Sequence, residues 1–283
     1  MIFDTHLHII DRGKLSYPWL GNVDALNKDS TYDNYSVVAR RVGICGVLHM
    51  EVDVAEKDIE AETDMIAKLM SEKGSLIKGA ISACRPESDN FPQFLEKQLE
   101  REEIKGFRRV LHVIPDAVST TTVFRDNIKR LSGTGLTFDL CVLPAQLHLA
   151  MELLDHCPDV TFILDHCGVP DVKGQSFEPW ATHIKNLAQR ENVMAKISGV
   201  IAYGDPDTWS LNDIRPFVEQ TIDAFGWSRV IWGSDSPVCT LGGQIETWVA
   251  ATHALLADCS DDERAALLHK NATALWPTIR RVQ

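Results

Sequence analysis

Short runs of apolar, β-branched and aromatic residues recur along the chain. They are Ile2 to His8, Ile44 to Met50, Leu76 to Cys84, Ile104 to Val113, Leu136 to Val142, Val160 to His166, Val193 to Val200 and Arg229 to Ser234. Each predicts a strand. Between them, apolar positions repeat at i, i+3, i+4 and i+7. Leu147, Ala150, Met151 and Leu154 form one such stripe, and Ile214, Phe217, Val218, Ile222 and Phe225 another. These predict amphipathic helices. Apolar strands alternating with helices call for a parallel sheet with helical crossovers. Eight such units in 283 residues predict an α/β fold, a single (β/α)8 TIM-type barrel domain spanning residues 1–283. No low-complexity tract or Pro/Gly/Ser-rich linker interrupts the rhythm.

Two stretches depart from it. Residues 11–35 follow the first strand and set turn formers beside Tyr17, Trp19 and Leu20, and residues 201–212 contain Tyr203 and Trp209. Both read as long loops after strands, and the first suits a cover over a substrate.

Composition narrows the partners. Apolar residues make up 45% and charged residues 24%, as in a globular protein with ample core. A net charge of −12, with no concentrated basic stretch, argues against a nucleic-acid partner and favours a small molecule. The seven cysteines are scattered and never spaced as CxxC, which fits a reducing, cytoplasmic setting rather than a disulfide framework. No run is long and apolar enough to predict a membrane span. Oligomeric state stays open.

In Phe3-Asp4-Thr5-His6-Leu7-His8, two histidines stand one residue apart near the end of a strand, so both leave the same face. Barrel enzymes carry their chemistry at the carboxyl ends of their strands. The third to eighth strands offer Arg85, Arg108, Arg109, His112, Asp139, Asp165-His166, Lys196, Ser198 and Asp235. So many ionisable groups at one rim exceed what packing requires. Arg108 and Arg109 alternate, so only one can face inward, and Arg108 is the choice. His112 shares its face, as Lys196 shares that of Ser198. Glu51 and Asp53 have no assignable role.

The segments FDTHLH, SYPWL (16–20), KGFRRVL (105–111), FDLCV (138–142), FILDHCGVPD (162–171), KISGV (196–200) and WGSDSPVC (232–239) occur in this order from the first strand to the last. Together they resemble the amidohydrolase superfamily, and within it the sugar-lactonase branch of fuconolactonase- and rhamnonolactonase-like proteins, with the related pyrone dicarboxylate lactonase. The resemblance implies a lactonase that opens a sugar-acid lactone, such as a rhamnono-, fucono- or galactaro-lactone. It makes His6, His8, His166 and Asp235 the catalytic centre. Lactone hydrolysis needs a polarised carbonyl and a base for water, which makes Asp235 the base and assigns oxyanion stabilisation to the histidines or to a divalent ion they hold. Arg85 and Arg108 are expected to orient substrate oxygens, with His112, Trp19, Tyr17, Lys196 and Ser198 as further substrate contacts.

Two-metal members of the superfamily use a bridging lysine or glutamate on the fourth strand and a histidine on the fifth. Here those strands carry Arg108 or His112 and Asp139. The expectation is at most one ion, zinc by preference, on some of His6, His8, His166 and Asp235, or none, since the branch includes members that work without metal. Fuconolactonase-like proteins also tend to carry histidine where Arg109 stands and acidic or amide residues at His49 and Arg85, so the sugar is not fixed. The competing readings are a zinc-dependent decarboxylase-type amidohydrolase and a non-catalytic binding barrel.

Overall fold

The computed structural model describes residues 1–277. Eight strands form one parallel sheet in sequence order: β1 (Ile2–Leu7), β2 (Ile44–Met50), β3 (Ile77–Ala83), β4 (Ile104–Val110), β5 (Thr137–Cys141), β6 (Thr161–Leu164), β7 (Val193–Ser198) and β8 (Val230–Gly233). The sheet closes where His8 N donates to Ser236 O at 2.8 Å and Asp235 N donates to His6 O at 2.9 Å. This is the (β/α)8 barrel that the alternation implied.

Alternating side chains feed two cores. On the outer face, Val47, Phe107, Phe138, Phe162 and Trp232 pack against helix residues that include Leu153, Ile184, Phe217 and Trp248. Each such large side chain contributes roughly 1.5–3 kcal/mol by leaving water. The helix stripes lie where the periodicity placed them. In Leu211–Phe225, Ile214, Phe217, Val218, Ile222 and Phe225 are all buried, and Ser210 and Asp213 cap the first turn reciprocally. Inside the barrel, Phe3, Leu48, Met50, Ile81, Ile163 and Ile231 fill the amino-terminal end. Trp276 seals that end, its indole N–H donating to Lys105 O at 3.1 Å. Among the described residues, no helix is long and apolar enough to cross a membrane.

Three local departures move functional side chains. In β1 the pairing register shifts between Asp4 and Leu7. Phe3 and His6 therefore both face the interior, while Asp4 meets the Tyr35 hydroxyl of the helix Tyr32–Arg41 at 2.7 Å. β4 ends at Val110 rather than Val113, because Leu111 and Ile114 turn ahead of Pro115. β6 ends at Leu164, and His166 and Cys167 enter a left-handed turn with φ of 53° and 55°.

Candidate active site

The carboxyl ends of β1, β6 and β8 bring His6, His8, His166 and Asp235 together. His8 Nδ1 lies 3.0 Å from Met50 O, so that nitrogen carries the proton and Nε2 presents its lone pair. His6 Nε2 is 3.1 Å from His8 Nε2. Asp235 Oδ1 lies 3.7 Å from His6 Nε2 and 3.5 Å from His8 Nε2. Asp235 Oδ2 is 3.6 Å from His166 Nδ1 and, though buried, has no hydrogen-bond partner among the described residues. Asp235 itself sits at φ 58°, an uncommon conformation of the kind that clusters at functional sites. Gly199, at φ 60°, makes room for it: a Cβ there would collide with the Asp235 carboxylate.

Below this cluster lies a buried ionic layer. Lys196 Nζ donates to Asp139 Oδ2 at 2.6 Å, pairs with Asp165 Oδ1 at 2.9 Å and approaches His6 Nδ1 at 3.2 Å. Arg108 is held by Glu51, with Nε to Oε1 at 2.6 Å and Nη2 to the Glu51 carbonyl at 2.7 Å. Its Nη1 makes only longer contacts, 3.4 Å each, to Asp165 Oδ2 and His6 Nε2. Two cations, Arg108 and Lys196, thus face four carboxylates, Glu51, Asp139, Asp165 and Asp235, in a region with almost no water access.

The protonation states follow from that setting. Burial pushes the Asp235 carboxyl up to about 6, against the pull of His166 and Arg108. Burial also takes Asp139 up to about 7, although Lys196 opposes it. Asp165 is buried too, yet Lys196 and His6 hold it well below the usual carboxylate range. Burial and then Arg108 bring His8 down to about 3, and burial lowers His6 and His166 as well. The imidazoles are neutral at ordinary pH, the form a metal ligand needs.

The donor set fits one divalent ion. Ligands about 2.1 Å from a tetrahedral centre stand about 3.4 Å apart. His6 Nε2, His8 Nε2 and Asp235 Oδ1 are separated by 3.1, 3.5 and 3.7 Å. Asp165 Oδ1, 3.4 Å from His6 Nδ1, can accept from an Nδ1–H, which would orient Nε2 as a ligand. A second triad, His6, Asp165 and His166, also lies within ligand reach. There the Lys196 ammonium already sits against Asp165 and His6.

Above these groups opens a cavity of about 460 Å³ whose lining includes His8, Arg108, His166 and Asp235, together with Trp19, His112 and Tyr203. Of the expected substrate contacts, Arg108, His112 and Trp19 reach it. Four do not. Lys196 is completely buried with its donors engaged by carboxylates. Ser198 lies beneath His166, its Oγ 2.9 Å from Nδ1. Arg85 turns to the Cys84 carbonyl at 2.9 Å and toward Asp53 at 3.8 Å. Tyr17 packs under the first loop, where its hydroxyl accepts from Asp11 N at 3.0 Å. Trp209 also lies outside the lining and donates to Gly242 O at 2.6 Å.

Glu51 and Asp165 were named from the sequence without a role, and Asp4 was not singled out. Asp4 Oδ1 accepts from His6 N at 3.0 Å and Ser234 N at 2.8 Å, tying β1 to β8 directly beneath the site. The signal available for Asp165 was its place beside His166 at a strand end. For Glu51, strand parity points the wrong way: it shares the parity of His49, which faces Glu62 of the helix Ile59–Ser71 at 3.3 Å.

The carboxyl-end rim of this parallel barrel, where barrel enzymes carry their chemistry, gathers three imidazoles and a carboxylate under an open cavity. The amidohydrolase family model matches residues 3–278, and the chain belongs to that family. It is 29% identical over 294 residues to the uncharacterized protein y4mH of Sinorhizobium fredii, across 97% of this chain and 98% of that one. It is 24% identical over 276 residues to an L-fucono-1,5-lactonase of Burkholderia ambifaria, across 95% of this chain and 93% of the relative. Among solved structures, an amidohydrolase of Burkholderia multivorans with bound zinc superposes with a TM-score of 0.88 at 21% identity, covering 98% of this chain and 99% of that one.

Proposed function

We propose that this protein hydrolyses the ring ester of a lactone. One observation carries the reading: the Asp235 carboxylate stands among three neutral histidines at the floor of an open cavity, with one oxygen that has no hydrogen-bond partner among the described residues. A buried carboxylate without a donor is a base waiting for a proton. The fucono-lactonase relatives support a lactone substrate, and they make the aldonolactones, with rhamnono-, fucono- and galactaro-lactone among them, the first to screen.

In this mechanism the ester carbonyl lies over His6, His8 and His166, and Asp235 takes the proton of the attacking water. Ser198 occupies His166 Nδ1, which leaves Nε2 as the ring nitrogen for the substrate. Arg108 is fixed by Glu51 and keeps Nη1 as a donor for a developing oxyanion. The proton held by Asp235 then goes to the ring oxygen as it leaves. His6, His8 and Asp235, with His166 beside them, would hold one divalent ion, zinc by preference, and a bound ion polarises the carbonyl and acidifies water. The Lys196 ammonium supports a limit of one, because it stands where a second cation would be needed. The test is a pH-indicator screen across aldonolactones, plain γ- and δ-lactones, and alkyl- and aryl-substituted δ-lactones. Acid release that depends on Asp235 is expected, and no release from any of them overturns the reading.

A further inference from the structure

The cavity changes character with height. Its floor is ionic, but Ile10, Val23, Leu26, Val52, Val238 and Leu241 line it above the floor. At the mouth, Val113 and Leu143 also line it, and they are 61% and 40% exposed, so the apolar surface runs out to solvent. Above the floor the polar side chains in the lining are Trp19, Asn22, Asp53, His112 and Tyr203, a minority beside the apolar ones, and two of them are already engaged. The Trp19 indole N–H is already given to Val52 O at 2.8 Å, and His112 Nδ1 lies 3.3 Å from Cys141 Sγ. Lys196, Ser198, Arg85 and Tyr17, whose hydrogen-bonding groups could have served a polyhydroxylated ring, are all outside the lining.

The volume, about 460 Å³, falls within the range of about 300–1,000 Å³ of pockets for drug-sized ligands and leaves room beyond a bare lactone ring. Each substrate hydroxyl buried here without a partner costs roughly ten- to a hundredfold in affinity. Each methylene laid on the wall gains about fourfold.

We infer, resting on the lactone-hydrolysis reading of the floor, that the substrate is a lactone bearing an alkyl or aryl substituent. Its ring ester meets Asp235 and His166, and its substituent runs along Val23, Leu26 and Leu241 toward Val113 and Leu143. The wall discriminates against a ring carrying several hydroxyls.

The experiment has two arms on the full-length protein. In the first, kcat/KM is measured for unsubstituted, hexyl-substituted and phenyl-substituted δ-lactones and for six-carbon aldonolactones. The substituted lactones are expected to exceed the aldonolactones by at least about a hundredfold. The solvent-facing changes Val113→Ser and Leu143→Asn together are expected to shrink that advantage about tenfold. Aldonolactones hydrolysed as fast as the substituted lactones, or faster, overturn the proposal. In the second arm, calorimetry compares wild-type binding of hexyl-substituted and polyhydroxylated δ-lactams, which resist hydrolysis. Tighter binding of the hexyl compound supports the apolar wall even if no lactone is turned over, in which case only the hydrolysis reading fails. Equal or tighter binding of the hydroxylated lactam overturns the wall.

Discussion

Replacing Glu51 tests the rigidity on which the site depends. Its carboxylate receives Arg108 Nε at 2.6 Å and Asp53 N at 2.7 Å, and both Glu51 and Arg108 are almost wholly buried. In Glu51→Ala the guanidinium keeps only the 3.4 Å contacts of Nη1 and the backbone bond of Nη2, and its charge is left without its close partner. Breaking a buried ion pair from one side costs about 3–5 kcal/mol. The stranded Asp53 N–H adds about 1 kcal/mol. For a chain of this size, each kcal/mol corresponds to roughly 2–4 °C, so the melting temperature is expected to fall by on the order of 10 °C in a calorimetric scan. Glu51→Gln keeps an acceptor for Arg108 and should lose about half as much. The double variant Glu51→Ala with Arg108→Met, which removes the orphaned charge, should be more stable than Glu51→Ala alone. A Glu51→Ala loss under about 1 kcal/mol, or a double variant destabilised by the sum of the single effects, would refute the coupling.

Three further outcomes follow from the same geometry. Asp235 must be ionised to accept a proton and titrates near 6, so kcat/KM should fall about tenfold per pH unit below about 6, and an added divalent ion should move that limb to lower pH; a flat profile down to pH 4.5 would contradict the base assignment. Gly199→Ala should lower kcat at least about a hundredfold, because its Cβ displaces the Asp235 carboxylate, and steady-state rates near wild type would show that the carboxylate position is not critical. Elemental analysis after loading with excess zinc should find no more than one ion per chain, since Lys196 stands at the second triad; two ions per chain would remove that role.

The barrel was legible because strand and helix periods alternate eight times, and the centre was legible because HLH, DH and WGSD fall at strand ends. Parity also separated Arg108 from Arg109: Arg108 meets Glu51 inside the barrel, whereas Arg109 faces Glu87 at 2.9 Å. Parity gives a face but not a height. Lys196 and Ser198 do point inward as read, yet they lie below the cavity floor in contact with Asp139 and His166 rather than with solvent. Parity also fails wherever the strand is irregular or has ended. The β1 register shift turns Asp4 away from the face of His6, and Glu51 turns inward one residue past β2. The expected fates of Tyr17 and Arg85 depended on how loops fold against one another, which is decided by distant partners such as Asp11 and Asp53 and leaves no periodic trace in the sequence.

The most direct test of lactone hydrolysis at this cluster compares wild type with Asp235→Asn in a pH-stat, using whichever lactone the wild type hydrolyses fastest. The amide keeps the shape of the carboxylate and cannot take up the proton, so kcat is expected to drop at least about a thousandfold while the melting temperature stays within a few degrees. An Asp235→Asn variant that folds and retains a tenth of the wild-type rate would contradict the assignment of Asp235 as the base.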